Sequence, residues 1–106
     1  MVSEISPTEF VREKALSPRT LLIDVREAWE LEIASIRGAV HMPMGEVAGR
    51  LAELDRTKDI VVMCRSGGRS MSVARMLESK GYESVANLTG GILAWSREVD
   101  PSLATY

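Results

Sequence analysis

Apolar positions along the chain follow two alternating rhythms. Leu21-Leu22-Ile23, running into Asp24-Val25-Arg26, and Ile60-Val61-Val62-Met63 are short continuous runs, the second rich in β-branched residues. Both predict strands buried on two faces. Val85-Ala86-Asn87-Leu88 predicts the last strand, and Gly38 to Pro43 a short extended one, stopped by a proline that has no N–H for a sheet ladder. Between these runs the spacing turns helical. Ser6-Pro7-Thr8-Glu9 has the layout of a capped helix start, with Glu9 completing a capping box, and this helix ends before Pro18. Val47, Leu51 and Leu54 predict an amphipathic helix after Gly45. Val73, Ala74, Met76 and Leu77 predict another, beginning at Ser70 and closed near Lys80 by Gly81. Gly90-Gly91 turns the chain into a last helix carrying Ile92, Leu93 and Trp95, and the tail from Asp100 to Tyr106 reads as irregular.

Buried strands alternating with helices predict the α/β class, a central parallel sheet with helices on both faces, because right-handed crossovers place the helices there. Ligands of such sheets gather at the carboxyl ends of the strands, which brings Asp24 to Glu27 and Cys64 to Ser70 to one side. Length and composition agree: 106 residues fit one domain over 1–106, and 45% hydrophobic with 26% charged residues is an ordinary globular balance. A formal net charge of −2 argues against the basic face of a nucleic-acid binder. No run approaches the ~18 apolar residues of a membrane helix, and Met-Val-Ser-Glu-Ile lacks the layout of a signal peptide. The expectation is a cytoplasmic protein with neither nucleic acid nor membrane as partner.

Chemistry concentrates in one stretch. Cys64 is the only cysteine and His41 the only histidine, which excludes an internal disulfide and a Cys/His metal site, and nothing calls for a cofactor. Cys64-Arg65-Ser66-Gly67-Gly68-Arg69-Ser70 follows a strand and leads into a helix, so the chain must reverse tightly. Gly67 and Gly68 are expected at positive φ, letting backbone N–H groups converge as an anion nest at a helix N-terminus. Such a terminus and nearby arginines lower a cysteine from its free pKa of about 8.5 toward the reactive thiolate. Arg65 and Arg69 offer planar forks for an oxyanion, and Ser66 and Ser70 offer hydroxyl donors. The stretch therefore predicts a Cys64 nucleophile activated electrostatically, without an obligatory general base, and a substrate cradle over residues 65 to 70.

This stretch resembles the active-site loop of the thiosulfate sulfurtransferases in the rhodanese-like family. Three further segments carry the resemblance: Asp24-Val25-Arg26-Glu27, Gly38-Ala39-Val40-His41-Met42-Pro43 and Gly90-Gly91-Ile92-Leu93-Ala94-Trp95. It implies transfer of sulfane sulfur, with Cys64 as persulfide carrier, a small anionic donor such as thiosulfate, and cyanide or a thiol as acceptor. Where family members often read Gly-His-Ile-Pro-Gly-Ala, this chain has Ala34-Ser35-Ile36-Arg37-Gly38-Ala39, losing that histidine and proline. The tail Asp100-Pro101-Ser102 resembles the ends of rhodanese domains appended to sulfur-carrier activating enzymes, which implies a sulfur-relay protein as a further partner.

Two rivals remain at this stage. One is a sulfur-relay or binding module without turnover. The other is a cysteine phosphatase or arsenate reductase, disfavoured because Cys-x4-Arg makes a smaller cradle than the Cys-x5-Arg of those loops, and because a second, resolving cysteine is missing. Outside the loop, Asp24 reads as a partner for loop amides, Arg26 and Glu27 as a solvated ion pair or a lining of the pocket mouth, and Trp95 as a core anchor. His41 reads more readily as a hydrogen-bonded structural residue than as a cleft group, and Trp29 as a partly exposed lid or contact surface.

Overall fold

The computed structural model describes residues 2–106. Five parallel strands form one sheet among these residues: β1 (Ser3–Ile5), β2 (Thr20–Asp24), β3 (Val40–His41), β4 (Asp59–Met63) and β5 (Val85–Leu88), in the order β1-β5-β4-β2-β3. The helices are α1 (Pro7–Glu13), α2 (Ala28–Ile33), α3 (Met44–Val47), α4 (Gly68–Ser79) and α5 (Gly91–Glu98), with a 3-10 segment over Ala48–Glu53. Among the described residues, no helix is long and apolar enough to cross a membrane.

The continuous apolar run of β4 serves both sides of the sheet, because successive side chains of a strand alternate in direction. Ile60, Val62 and Cys64 join Val73, Ala74 and Leu77 of α4 and Val47 of α3 in one core. Val61 and Met63 join Phe10 of α1 and Ile92 and Trp95 of α5 in the other. Trp95 packs edge-on against Phe10 at 5.9 Å between ring centres, the anchoring role expected of it. The Ser6/Glu9 capping box is formed in both directions.

The sequence pattern missed or misplaced four features. β1 has only Ile5 buried, too little periodicity to announce a strand, and it exists by adding its backbone to the edge of β5. α2 has Glu30 as its only buried residue, so a search for apolar spacing passes over it. The helix expected after Gly45 is instead four α residues followed by the 3-10 segment, with Arg50 non-helical at φ −122°, ψ 19°. Two glycines in this span, Gly45 and Gly49, weaken it as a continuous α-helix. α4 begins at Gly68 rather than Ser70, so Gly68 is the first helical residue, and of the expected pair only Gly67 has positive φ, at 117°.

Candidate active site

β4 delivers Cys64 to the carboxyl edge of the sheet, and the chain turns at once into α4. The left-handed Gly67 makes that turn, pointing its amide at the Cys64 Sγ over 3.1 Å. Ser70, one turn into α4 and fully buried, places its Oγ 3.2 Å from the same sulfur. Burial pushes the thiol pKa up. The Ser70 hydroxyl and the amides of Ser70, Gly67 and Ser66 outweigh it, and the net direction is down. The sulfur thus sits at the start of a twelve-residue helix among converging donors, the setting in which a thiolate is stabilised. From behind, α5 supports the turn: Ile92 N donates to the Cys64 carbonyl at 2.9 Å, and Leu93 N to that of Arg65 at 3.2 Å.

The two loop arginines are engaged differently. Arg69 forms a fork on Glu30, with Nη1 and Nη2 at 2.7 and 2.8 Å from the two carboxylate oxygens. Arg65 donates through Nε and Nη2 to the Tyr106 main-chain oxygen and lies over the Tyr106 ring, 5.1 Å from its centre. Tyr106 closes the network: its hydroxyl donates to Glu30 at 2.7 Å and accepts from Arg26 at 2.9 Å. The Arg69 guanidinium holds the Glu30 carboxyl down to about 2, against the opposing effect of burial and aided by the Glu27 amide and the Tyr106 hydroxyl.

A depressed carboxyl contributes stability that is complete above its ordinary value and lost as the acid form takes over. Between the ordinary 4.5 and about 2, acidification should therefore unfasten α2 from the loop. Urea denaturation at a series of pH values is expected to show wild-type stability falling through that window. In Glu30→Gln, which is less stable at neutral pH, that part of the slope should be missing.

Arg26 differs from expectation. It is neither solvated nor at the pocket mouth but wholly buried, clasped by Asp24 through Nε and Nη2, with further bonds to the Glu30 and Ala34 carbonyls and to Tyr106. The buried carboxylate draws it inward, since an interior guanidinium needs such a partner. Asp24 does bond a loop amide, that of Arg26, at 3.0 Å. Glu27 is the exposed N-cap of α2. His41 takes the structural course, its Nε2 lying 2.7 Å from the Arg26 carbonyl. Trp29 is 59% exposed and touches Tyr106 edge-on at 6.0 Å.

Of the residues expected to form the cradle around Cys64, Ser66, Gly67 and Ser70 converge on its sulfur through amides or hydroxyl. Gly68 opens the helix and Arg65 lies at the rim, while Arg69 faces Glu30. Three participants were missed: Glu30, Tyr106 and Asn87. Asn87 is the most readable of them in retrospect, a polar residue inside a strand that is otherwise apolar; its Oδ1 lies 2.5 Å from Ser70 Oγ.

The chain is similar to known proteins in sequence and in fold. Residues 6–98 match the family described as Rhodanese-like domain. YtwF of Bacillus subtilis, a sulfurtransferase-family protein, is 42% identical over 101 residues, covering 94% of this chain and 96% of that protein. The Rhodanese-like/PpiC domain-containing protein 12 of Arabidopsis thaliana is 48% identical over 89 residues, covering 80% of this chain, which spans only 30% of that protein. A Zea mays protein described as Adenylyltransferase and sulfurtransferase MOCS3-1 is 34% identical over 93 residues, 81% of this chain and 20% of that one. Among solved structures, a Rhodanese-like Domain Protein from Staphylococcus aureus superposes with a TM-score of 0.83 at 26% identity, covering 99% of both chains. With the parallel sheet, the cysteine at the carboxyl end of β4 and the amides converging on its sulfur, these matches make the chain a member of the rhodanese-like family of sulfurtransferases.

Proposed function

We propose that this chain, as one rhodanese-like domain over 1–106, moves sulfane sulfur through a persulfide on Cys64. The Cys64 thiolate attacks the outer sulfur of thiosulfate or of a persulfide. A new S–S bond forms as the old one breaks, and sulfite, or the donor's thiolate, leaves with the electron pair. Cyanide or a thiolate then attacks the outer sulfur of the Cys64 persulfide, forming thiocyanate or a new persulfide, and Cys64 departs as thiolate. The observation that carries this reading is the convergence on one sulfur, at the start of α4, of the Gly67 amide at 3.1 Å and of the Ser70 hydroxyl at 3.2 Å, which can turn its proton to a charged sulfur. Such donors favour the thiolate both as attacking and as leaving group.

The arginines divide the remaining work. Arg69, neutralised by Glu30, braces α2 against α4, which weighs against a phosphatase that needs this fork for a phosphate. Arg65 meets the Tyr106 main-chain oxygen and ring at the rim, and an anionic donor competes for it on arrival. Cytoplasmic sulfur delivery fits this chemistry, with a sulfur-relay protein as donor or acceptor; the pairing of sulfurtransferase with adenylyltransferase in the name of the maize relative supports that partner class. The test is intact-protein mass spectrometry after incubation with thiosulfate, followed by peptide mapping. One added sulfur is expected, located on Cys64, discharged by cyanide and absent from Cys64→Ala. An unchanged wild-type mass with both thiosulfate and a small-molecule persulfide would overturn the reading.

A further inference from the structure

We propose that Asn87 is a positioning residue for the Cys64 nucleophile, one that holds the single Ser70 hydroxyl proton away from the sulfur until negative charge develops there. The Ser70 hydroxyl has one proton and three acceptors within reach: Asn87 Oδ1 at 2.5 Å, Cys64 Sγ at 3.2 Å and the Gly67 carbonyl at 3.2 Å. All three side chains are buried, so water does not share the bonding: Ser70 is 0%, Cys64 1% and Asn87 3% exposed.

The orientation of the Asn87 amide decides which acceptor wins. One end lies 3.3 Å from the Gly67 carbonyl and 3.3 Å from Glu4 Oε1, and a carbonyl can only accept, so this end is the NH2. The carbonyl end then faces Ser70, and an amide oxygen only 2.5 Å from a hydroxyl oxygen requires the hydroxyl proton between them. The backbone fixes the arrangement, because Glu4, Asn87 and Val62 are register partners across β1, β5 and β4.

With its proton committed to Asn87, Ser70 presents a lone pair to Cys64 and accepts from the neutral thiol. Ser70 favours the thiolate only after its hydroxyl turns from Asn87 to the sulfur, a hydrogen bond to the charged form. A neutral persulfide sulfur is a weak acceptor and leaves the proton on Asn87. Hence the hydroxyl serves the sulfur when Cys64 attacks or departs and is withdrawn in between. A bond that strengthens as charge develops favours the reacting state over the resting one.

This inference takes Cys64 as the nucleophile of the proposed reaction, but its test needs no sulfur donor. The rate of Cys64 alkylation by iodoacetamide is followed across pH. Removing the competing acceptor in Asn87→Ala frees the Ser70 proton for the sulfur, so the midpoint should fall by about one pH unit, with ~tenfold faster alkylation below both midpoints. In a Ser70→Ala background, the Asn87→Ala substitution should leave the midpoint unmoved. Asn87→Asp, a stronger acceptor of the same shape, should raise the midpoint, more with Ser70 present than without, and it preserves the test if the alanine variant does not fold.

The charged groups around the site are Arg65, Arg69 of α4 paired with Glu30 of α2, Glu4 of β1 beyond Asn87, and Asp24 of β2 paired with Arg26. They are common to wild type and Asn87→Ala; Glu4 loses its bond from the Asn87 NH2 but keeps that from Thr89, and any effect of this on Cys64 appears equally in the Ser70→Ala background. If Asn87 served only to hold the Gly67 turn, its loss would misplace the Gly67 amide and raise the midpoint. That outcome, an unmoved midpoint in Asn87→Ala, or a fall that persists without Ser70 would overturn the proposal. Failure to form a persulfide in the separate mass-spectrometric test bears on the function alone.

Discussion

Gly91→Ala should cost this protein roughly 3–5 kcal/mol and displace the active-site turn, although residue 91 makes no side-chain contact of its own. A Cβ there would stand 2.3 Å from the Cys64 carbonyl oxygen, 2.6 Å from that of Arg65 and 2.7 Å from the Arg65 carbonyl carbon. All three are backbone atoms, held by the Ile92 and Leu93 amides at the start of α5, so no side chain can swing aside to make room. The residue also has φ 56°, which costs an L-residue about 1–2 kcal/mol before any contact is counted. Relief requires α5 to back away, which removes two amides from the carbonyls that fix Cys64 and shifts its sulfur relative to the Gly67 amide. Thermal denaturation should show a fall of roughly 15 °C or more, and Cys64 alkylation near neutral pH should slow. Gly49→Ala is the matched control: φ is not positive and nothing lies within 4 Å of the added methyl, so stability should change little and Cys64 alkylation should keep its wild-type rate.

The same residue shows how far the sequence can be read. Gly90-Gly91 is legible as a turn into a helix, but its close approach to Cys64 is not, because 27 positions separate them and only the parallel crossover brings them together. What could be read was whatever advertises itself locally. The β-branched run of β4, the Ser6/Glu9 box and the turn from Cys64 into α4 each carry their own signal within a few residues; the first two stand where expected, and the turn does so in position only, its helix opening at Gly68 instead of Ser70. The nucleophile and its amides belong to this class. Glu30 does not: it is a charged residue on a helix with no apolar stripe, buried because Arg69 and Tyr106, 39 and 76 positions away, meet it there. Arg26 was misread for the same reason, since a guanidinium reads as solvated until its four partners are known. Polar networks that close over long sequence separations leave no period behind, and here they surround the site.

Asp24→Ala is the second substitution with a large expected effect, about 3–5 kcal/mol, because it strands a charge that cannot be given up. Asp24 Oδ1 accepts from the Arg26 amide at 3.0 Å and from Arg26 Nε at 3.0 Å, and Oδ2 accepts from Nη2 at 2.7 Å, with both side chains at most 1% exposed. Without the carboxylate, Arg26 keeps neutral partners in the Ala34 and Glu30 carbonyls and the Tyr106 hydroxyl, which satisfy N–H groups but do not balance charge. An arginine remains protonated throughout the accessible range, so the chain must unfold locally or admit water. Removing both groups, in the double variant Asp24→Ala/Arg26→Met, should cost less than Asp24→Ala alone, because no charge is then stranded. Urea denaturation of the single and the double variant at neutral pH checks this, and a double variant less stable than Asp24→Ala would show that packing rather than charge governs the pair. The consequence reaches the site, because Arg26 and Glu30 share the Tyr106 hydroxyl, and Glu30 is the anchor of Arg69 at the start of α4. The charge buried beneath the sheet's carboxyl edge thus sets where α2 stands, and α2 sets how firmly the helix that begins at Gly68 is presented to the Cys64 sulfur.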